Sequence, residues 1–123
     1  MEKIVVADDH SSVRVLVEMI LQREGRQVLH AADGEQALEV TEKEKPDLLI
    51  LDLMMPGKFD GFSTLQQLKE KPLYKELPVL VLSACHQPQY RERAQSLGAK
   101  DYLQKPFPID SLLQAVDRLL PTG

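Results

Sequence analysis

Leu48-Leu49-Ile50-Leu51-Asp52 decides the architecture of this chain. Four large apolar residues in a row cannot divide themselves between a core face and a solvent face, so both faces of the segment are covered. The run has the length of a strand and is too short for a buried helix. The same pattern recurs along the chain. Ile4-Val5-Val6-Ala7 stops at Asp8-Asp9, Val79-Leu80-Val81-Leu82 stops at Ser83, and weaker runs occupy Val28-Leu29-His30-Ala31 and Tyr102-Leu103. Strands buried on both sides belong to a parallel sheet with helices above and below it.

Between these runs the apolar spacing changes to the 3.6-residue period of a helix. Val13, Leu16, Val17, Ile20 and Leu21 trace the first helix, with Ser11 or Ser12 as its cap and Gly25 as its stop. Ala37, Leu38 and Thr41 follow Asp33, and Pro46 closes that unit. Residues 54–61 form a loop by their Pro and Gly content, and Phe62, Leu65 and Leu68 line the helix after it. Pro72 and Pro78 bracket a connector. The fourth helix, Pro88 to Leu97, is the least apolar and ends at Gly98, while Leu112, Leu113, Val116, Leu119 and Leu120 mark the last. Five βα units in alternation make a three-layer, doubly wound α/β sandwich.

Composition narrows the function. At 123 residues the chain is one domain in length, and 43% apolar with 28% charged residues is an ordinary globular mixture. Lys and Arg number 15 against 19 acids, a net charge of −4. An acidic chain without a basic stripe does not bind nucleic acid directly, nor an anionic membrane surface. No run approaches the length of a membrane span, and the N-terminus is too short for a signal peptide. The single cysteine, Cys85, reads as a reduced thiol in a cytoplasmic protein.

In open α/β sheets, chemistry gathers outside the carboxyl ends of the strands. Here those ends carry Asp8, Asp9, Asp52, Ser83 and, after the fifth run, Lys105. Each alone is a common cap, turn or surface residue. Together they bring three carboxylates, a hydroxyl and an ammonium to one edge. Clustered acids repel unless a cation compensates, and oxygen ligands favour Mg²⁺ or Mn²⁺ over zinc. His10, His30 and His86 are scattered and form no zinc-type cluster. A carboxylate beside such a metal can attack phosphorus to form an aspartyl phosphate, and the position of Asp52 on the central strand makes it the nucleophile. Ser83 can donate to a phosphoryl oxygen and Lys105 can pair with another.

The chain resembles the receiver domain of two-component response regulators over essentially its whole length. The resemblance rests on Val6-Ala7-Asp8-Asp9-His10, Ala32-Asp33-Gly34-Glu35-Gln36-Ala37-Leu38 and Asp47 through Gly57. Asp60-Gly61, Leu82-Ser83-Ala84, Gly98 through Leu103 and Lys105-Pro106-Phe107 complete it. It implies a flavodoxin-like fold with a five-stranded parallel sheet of order 2-1-3-4-5, and a single receiver spanning 1–123, either stand-alone or a piece of a longer chain. It implies that Asp52 is the phosphoacceptor, that Asp9 binds Mg²⁺ directly, and that Asp8 binds mainly through water. Asp52 and the backbone carbonyl of Met54 complete the metal ligands, and Mn²⁺ substitutes for Mg²⁺. Ser83 is the switch hydroxyl, Tyr102 the switch aromatic, Lys105 the phosphate-pairing lysine and Pro106 a cis-proline. The partners implied are a sensor histidine kinase or phosphotransfer protein, and an output protein or C-terminal effector domain. The activity implied is self-phosphorylation and self-dephosphorylation only.

Three departures from the family pattern stand out. Lys58-Phe59 lengthens the loop beside the site, Ser83 replaces the commoner threonine, and Lys100 and Ala115 stand where dimerising transcription factors carry an acid and an arginine. The last favours a monomer or weak dimer over their salt-bridged one. Two alternatives remain at this stage. A receiver serving only for docking would not need the intact Asp9, Asp52, Ser83 and Lys105. A metal-dependent phosphatase of the haloacid dehalogenase type needs a second Asp two residues after the nucleophile, where this chain has Met54.

Overall fold

The computed structural model describes residues 2–22, 25–85 and 87–120; His86 lies outside that set. The elements in chain order are β1 (Lys3–Ala7), α1 (Ser11–Gln22), β2 (Gln27–Ala31), α2 (Gly34–Glu44), β3 (Leu48–Asp52) and α3 (Gly61–Glu70). A single 3-10 turn, Pro72–Tyr74, leads into β4 (Val79–Ser83), α4 (Pro88–Ser96), β5 (Asp101–Gln104) and α5 (Ile109–Leu119). All neighbouring strands run parallel, in the order β2-β1-β3-β4-β5. This is the doubly wound architecture expected from the alternation of apolar runs.

Two half-cores flank the sheet, and strand residues divide between them by parity. Val5, Ala7, Leu49, Leu51, Val79 and Val81 point to one side, where Ala37, Leu65, Leu68 and Ala94 of α2, α3 and α4 cover them. Ile4, Val6, Leu48, Ile50, Leu80 and Leu82 point to the other, against Val17, Leu21, Leu112 and Val116 of α1 and α5. Every residue of β3 and β4 is buried, which is why their sequences show no alternation.

Two details of α1 differ from the sequence reading. Ser11 and Ser12 lie inside the helix, not at its cap, and the turn before it is closed by Asp8 Oδ1 accepting the His10 N–H at 2.8 Å. Leu16 faces outward, 44% exposed, in a strip with Val15 and Met19. The core takes the stripe through Val17, Ile20 and Leu21, with Val13 packed against its edge. The Asp33 and Asp60 side chains cap α2 and α3 by accepting from Gln36 N and Ser63 N. Of α4, only Ala94 is buried, so that helix is the most lightly anchored of the five.

Candidate functional site

The carboxyl ends of β1, β3 and β4 deliver Asp8, Asp52 and Ser83 into one depression, and all three are buried. Asp52 ends the middle strand of the sheet. Its position is tightened by α3, because a Cβ on Gly61 would collide with the Asp52 carbonyl oxygen and the Leu53 Cα. Only glycine lets the helix start so close to the strand, and Gly61 N donates to Leu53 O at 2.9 Å. The start of α2 packs similarly: Thr64 Oγ1 of α3 and Phe59 of the preceding loop occupy the space that a Cβ on Gly34 would need.

Lys105 enters from the far side, after β5, across a cis peptide bond to Pro106. Its Nζ lies 2.5 Å from Asp8 Oδ2 and 3.5 Å from Asp52 Oδ2. Lys105 therefore bridges the two buried acids but favours Asp8. Asp52 Oδ1 accepts a backbone bond from Met54 N at 3.2 Å. Burial raises the Asp52 carboxyl from its ordinary 3.8 to about 6, and the Asp8 charge adds to the rise; Lys105 and the Met54 N–H oppose it. A carboxylate held this way has excess negative charge around it that a cation would relieve.

Asp9 stands next to this pair. Its Oδ1 is buried, yet it has no hydrogen-bond partner. Oxygen atoms from Asp8, Asp9 and Asp52, with a His10 ring nitrogen, all lie within 4.8 Å of one another. An orphaned carboxylate oxygen among hard oxygen donors suits Mg²⁺ or Mn²⁺. Asp8, Asp9 and Asp52 are thus brought together as the sequence suggested.

Ser83 and Tyr102 meet through a third residue. Ser83 Oγ accepts from Cys85 N at 3.0 Å, and the Tyr102 hydroxyl donates to Cys85 O at 2.9 Å. The Arg91 guanidinium lies 5.5 Å from the Tyr102 ring centroid, tying α4 to this aromatic. The Met54 side chain is 57% exposed at the rim of the site.

Two residues escaped the sequence reading. His10 is not isolated: its Nδ1 is 3.2 Å from Asp8 Oδ1 and 3.3 Å from Asp9 Oδ1. Its adjacency to the Asp8-Asp9 pair was the available signal. Arg14, one helical turn further, donates from Nη1 to the Asp8 carbonyl at 2.6 Å and from Nε to His30 Nδ1 at 3.2 Å. Nothing in the sequence marks that bond, because it depends on where α1 crosses the ends of β1 and β2.

Among the described residues, no helix is long and apolar enough to cross a membrane. Residues 4–117 match the response regulator receiver domain family. The chain is 36% identical to sporulation initiation phosphotransferase F of Bacillus subtilis, covering 98% of this chain and 94% of that protein. It is 42% identical to the alkaline phosphatase synthesis transcriptional regulatory protein PhoP of the same organism, over 86% of this chain but 43% of PhoP. It thus spans nearly all of the first relative and about half the length of several transcriptional regulators it also matches. Among solved structures, Vibrio cholerae chemotaxis protein CheY4 superposes with a TM-score of 0.91 at 34% identity, covering 98% of this chain and 99% of CheY4. The chain belongs to the receiver domain family of two-component response regulators, whose members act in phosphorylation-dependent signalling.

Proposed function

We propose that Asp52 accepts a phosphoryl group from the phosphohistidine of a sensor kinase or phosphotransfer protein. The P–N bond of the donor breaks as a P–O bond forms to the Asp52 carboxylate. The observation that carries this reading is the convergence of Asp8, Asp52 and Lys105, with one ammonium in ion-pair range of two buried carboxylates. Lys105, now mainly on Asp8, is placed to turn toward the negative charge that phosphorylation adds to Asp52. Asp8, Asp9, Asp52 and the Met54 carbonyl would hold Mg²⁺, which when bound offsets the charge on the phosphoryl oxygens. Asp8 acts mainly through water, and Mn²⁺ serves in place of Mg²⁺.

Ser83 donates its hydroxyl to a phosphoryl oxygen. That bond pulls on Cys85, whose carbonyl holds Tyr102, so the loop into α4 and the face of α4, β5 and α5 respond together. The signal then passes to a separate output protein or to an effector domain on the same chain. The donor side is proposed to be the exposed strip of Val15, Leu16 and Met19 on α1, which opens toward an apolar groove formed by Val13, Leu16, Ala84, Pro106 and Phe107 beside Lys105. Ala115 is buried and Arg118 pairs with Asp101 of the same chain at 2.7 Å, which favours a monomer or weak dimer. The domain would act in the cytoplasm as a switch with self-phosphorylation and self-dephosphorylation activity only.

Intact mass after incubation with Mg²⁺ and acetyl phosphate tests this directly. One added phosphoryl group is expected, lost on chelation of the metal and absent in Asp52→Ala. Equal labelling of Asp52→Ala would refute the assignment.

A further inference from the structure

Arg14 has no part in the reading just given, yet it joins two strands beside the acidic pocket. Its Nη1 donates to the Asp8 carbonyl at 2.6 Å and its Nε to His30 Nδ1 at 3.2 Å. From its seat on α1 the guanidinium thus ties the carboxyl end of β1 to β2. An arginine offers only donors. For His30 Nδ1 to accept from it, that nitrogen must be unprotonated, and the ring hydrogen then sits on Nε2. There it faces Glu18 Oε1 at 3.2 Å, one turn further along α1. The ring is held neutral, in one tautomer, between a cation and a carboxylate. A second proton can enter only at Nδ1, where it points at the Arg14 N–H. Glu18 favours the added charge, whereas Arg14 loses its acceptor and meets a like charge. The His30 side chain is 31% exposed, within reach of protons from solvent. Among the described residues, the charged groups facing the ring are these two from α1. Its register partner on β1 is Val6, and β2 is an edge strand. The other face of the sheet belongs to Leu29 and α2, where Asp33 is committed to Gln36 N at 2.9 Å.

We propose that Arg14 is a positioning residue for phosphorylation of Asp52 and that His30 controls it. Neutral His30 keeps Arg14 on the Asp8 carbonyl, and protonated His30 releases it. With Arg14 in place, the turn carrying Asp8 and Asp9 is fixed before phosphoryl transfer, so no ordering remains to be done during the reaction. Release frees that turn, and acid therefore slows phosphorylation through a residue that touches no reacting atom. The inference rests on the reading of Asp52 as the phosphoacceptor.

Initial rates of labelling by acetyl phosphate with Mg²⁺, followed from about pH 8 to about 5.5, the range in which imidazoles change charge, test it. The proteins compared are wild type, His30→Asn, Arg14→Lys and Asp52→Ala. Asparagine places an oxygen where His30 has Nδ1 and cannot titrate, so it holds Arg14 at every pH. Protonation of Asp52 slows labelling in acid in each protein that keeps it, and the His30 effect is the loss beyond that. Wild type should lose about fivefold more rate than His30→Asn across the range, the worth of one charged hydrogen bond. Arg14→Lys cannot span both acceptors, so at the alkaline end it should label about fivefold more slowly than wild type and then share the shallower slope of His30→Asn. In ¹⁵N spectra of wild type, the His30 ring should show the Nε2–H tautomer at the alkaline end, and the Arg14 Nε–H signal should move as that ring titrates. Equal pH slopes in wild type and His30→Asn would overturn the inference while leaving Asp52 as the phosphoacceptor. So would an Nδ1–H tautomer, or an Arg14 signal that ignores the ring, and neither of these needs a variant to fold. Labelling of Asp52→Ala would overturn the phosphoacceptor reading, and the inference with it.

Discussion

The Tyr102 hydroxyl donates to the Cys85 carbonyl at 2.9 Å, and this bond clamps the β4–α4 loop to the last strand. Cys85 is also the residue whose N–H reaches Ser83 Oγ, so the proposed phosphate sensor and the aromatic sit on opposite ends of one peptide segment. Tyr102→Phe keeps the ring and deletes the bond. Stability should fall by about 1 kcal/mol, the usual net value of one hydrogen bond. Phosphorylation of Asp52 should proceed within about twofold of wild type, because the hydroxyl touches no reacting group. The amide shifts that beryllofluoride induces in α4 and β5 should shrink. An unchanged shift map would show that this bond does not transmit the signal.

Asp52 makes stability depend on pH in a direction opposite to that of a salt-bridged surface acid. Its carboxyl is raised from 3.8 to about 6, chiefly by burial. Between those values the folded chain binds more protons than the unfolded one, so stability should fall as pH rises from about 4 to 6. Above that window the ionised group costs on the order of 2–3 kcal/mol. In metal-free buffer at neutral pH, Asp52→Asn should melt roughly 5–10 °C above wild type and lose most of this slope. Equal melting temperatures at pH 7 would show that Lys105 already compensates the charge. Saturating Mg²⁺ should narrow the gap, because the cation relieves the same repulsion.

Leu16 and Met19, 44% and 55% exposed, contribute little to the core of α1. The double variant Leu16→Ala, Met19→Ala should therefore change stability by about 0.5 kcal/mol or less. If this strip receives the phosphohistidine donor, transfer from a donor protein should slow by about tenfold or more. Labelling by acetyl phosphate, which needs no docking surface, should stay the same. A variant that loses both reactions equally would point to damage at Asp52, and one that loses neither would remove α1 from the donor interface.

How far the sequence carried depended on the range of each interaction. β3 and β4 were legible because every residue from Leu48 to Leu51 and from Val79 to Leu82 is buried, and continuous burial writes itself as continuous hydrophobicity. Asp33 was legible as the residue before a helix because a cap acts within three residues, whereas the equivalent cap by Asp60 lay hidden in a segment read only as loop. Leu16 misled because periodicity locates an apolar face without saying how wide the neighbouring element lets it be. Lys69 could not be read at all. It looks like a surface lysine, but its ammonium donates to the carbonyls of Tyr74, Lys75 and Leu77, closing the connector before β4. Burial, with the Lys100 charge adding to it, lowers its affinity for the proton. The cluster of Asp8, Asp52 and Lys105 was inferable because parallel strands place their ends together, whereas the inward turn of His10 depends on the backbone bond to Asp8.

The lifetime of the aspartyl phosphate should be set at the rim. With Asp52 as the proposed phosphoacceptor, hydrolysis would need a water in line behind phosphorus, and the positions two residues beyond Asp52 and two beyond Ser83 are proposed to border that approach. In this chain they are Met54 and Cys85. A thioether is a weak acceptor and a neutral thiol a weak donor and acceptor, so neither holds a water well. Met54 is 57% exposed, leaving it free to fold over a phosphoryl group or away from it. Cys85 is half-buried, with its backbone already committed to Ser83 and Tyr102. Self-dephosphorylation should accordingly be slow, and a polar side chain at either place should speed it. Decay of ³²P-labelled wild type, Met54→Asn and Cys85→Glu should show about a threefold or greater increase in rate for at least one variant, with Mg²⁺ affinity unchanged. Acceleration in Met54→Asn alone would assign the shielding to the exposed thioether, and acceleration in Cys85→Glu alone would assign it to the loop that Tyr102 clamps. Identical decay in all three would mean that water reaches phosphorus by a path that neither residue borders.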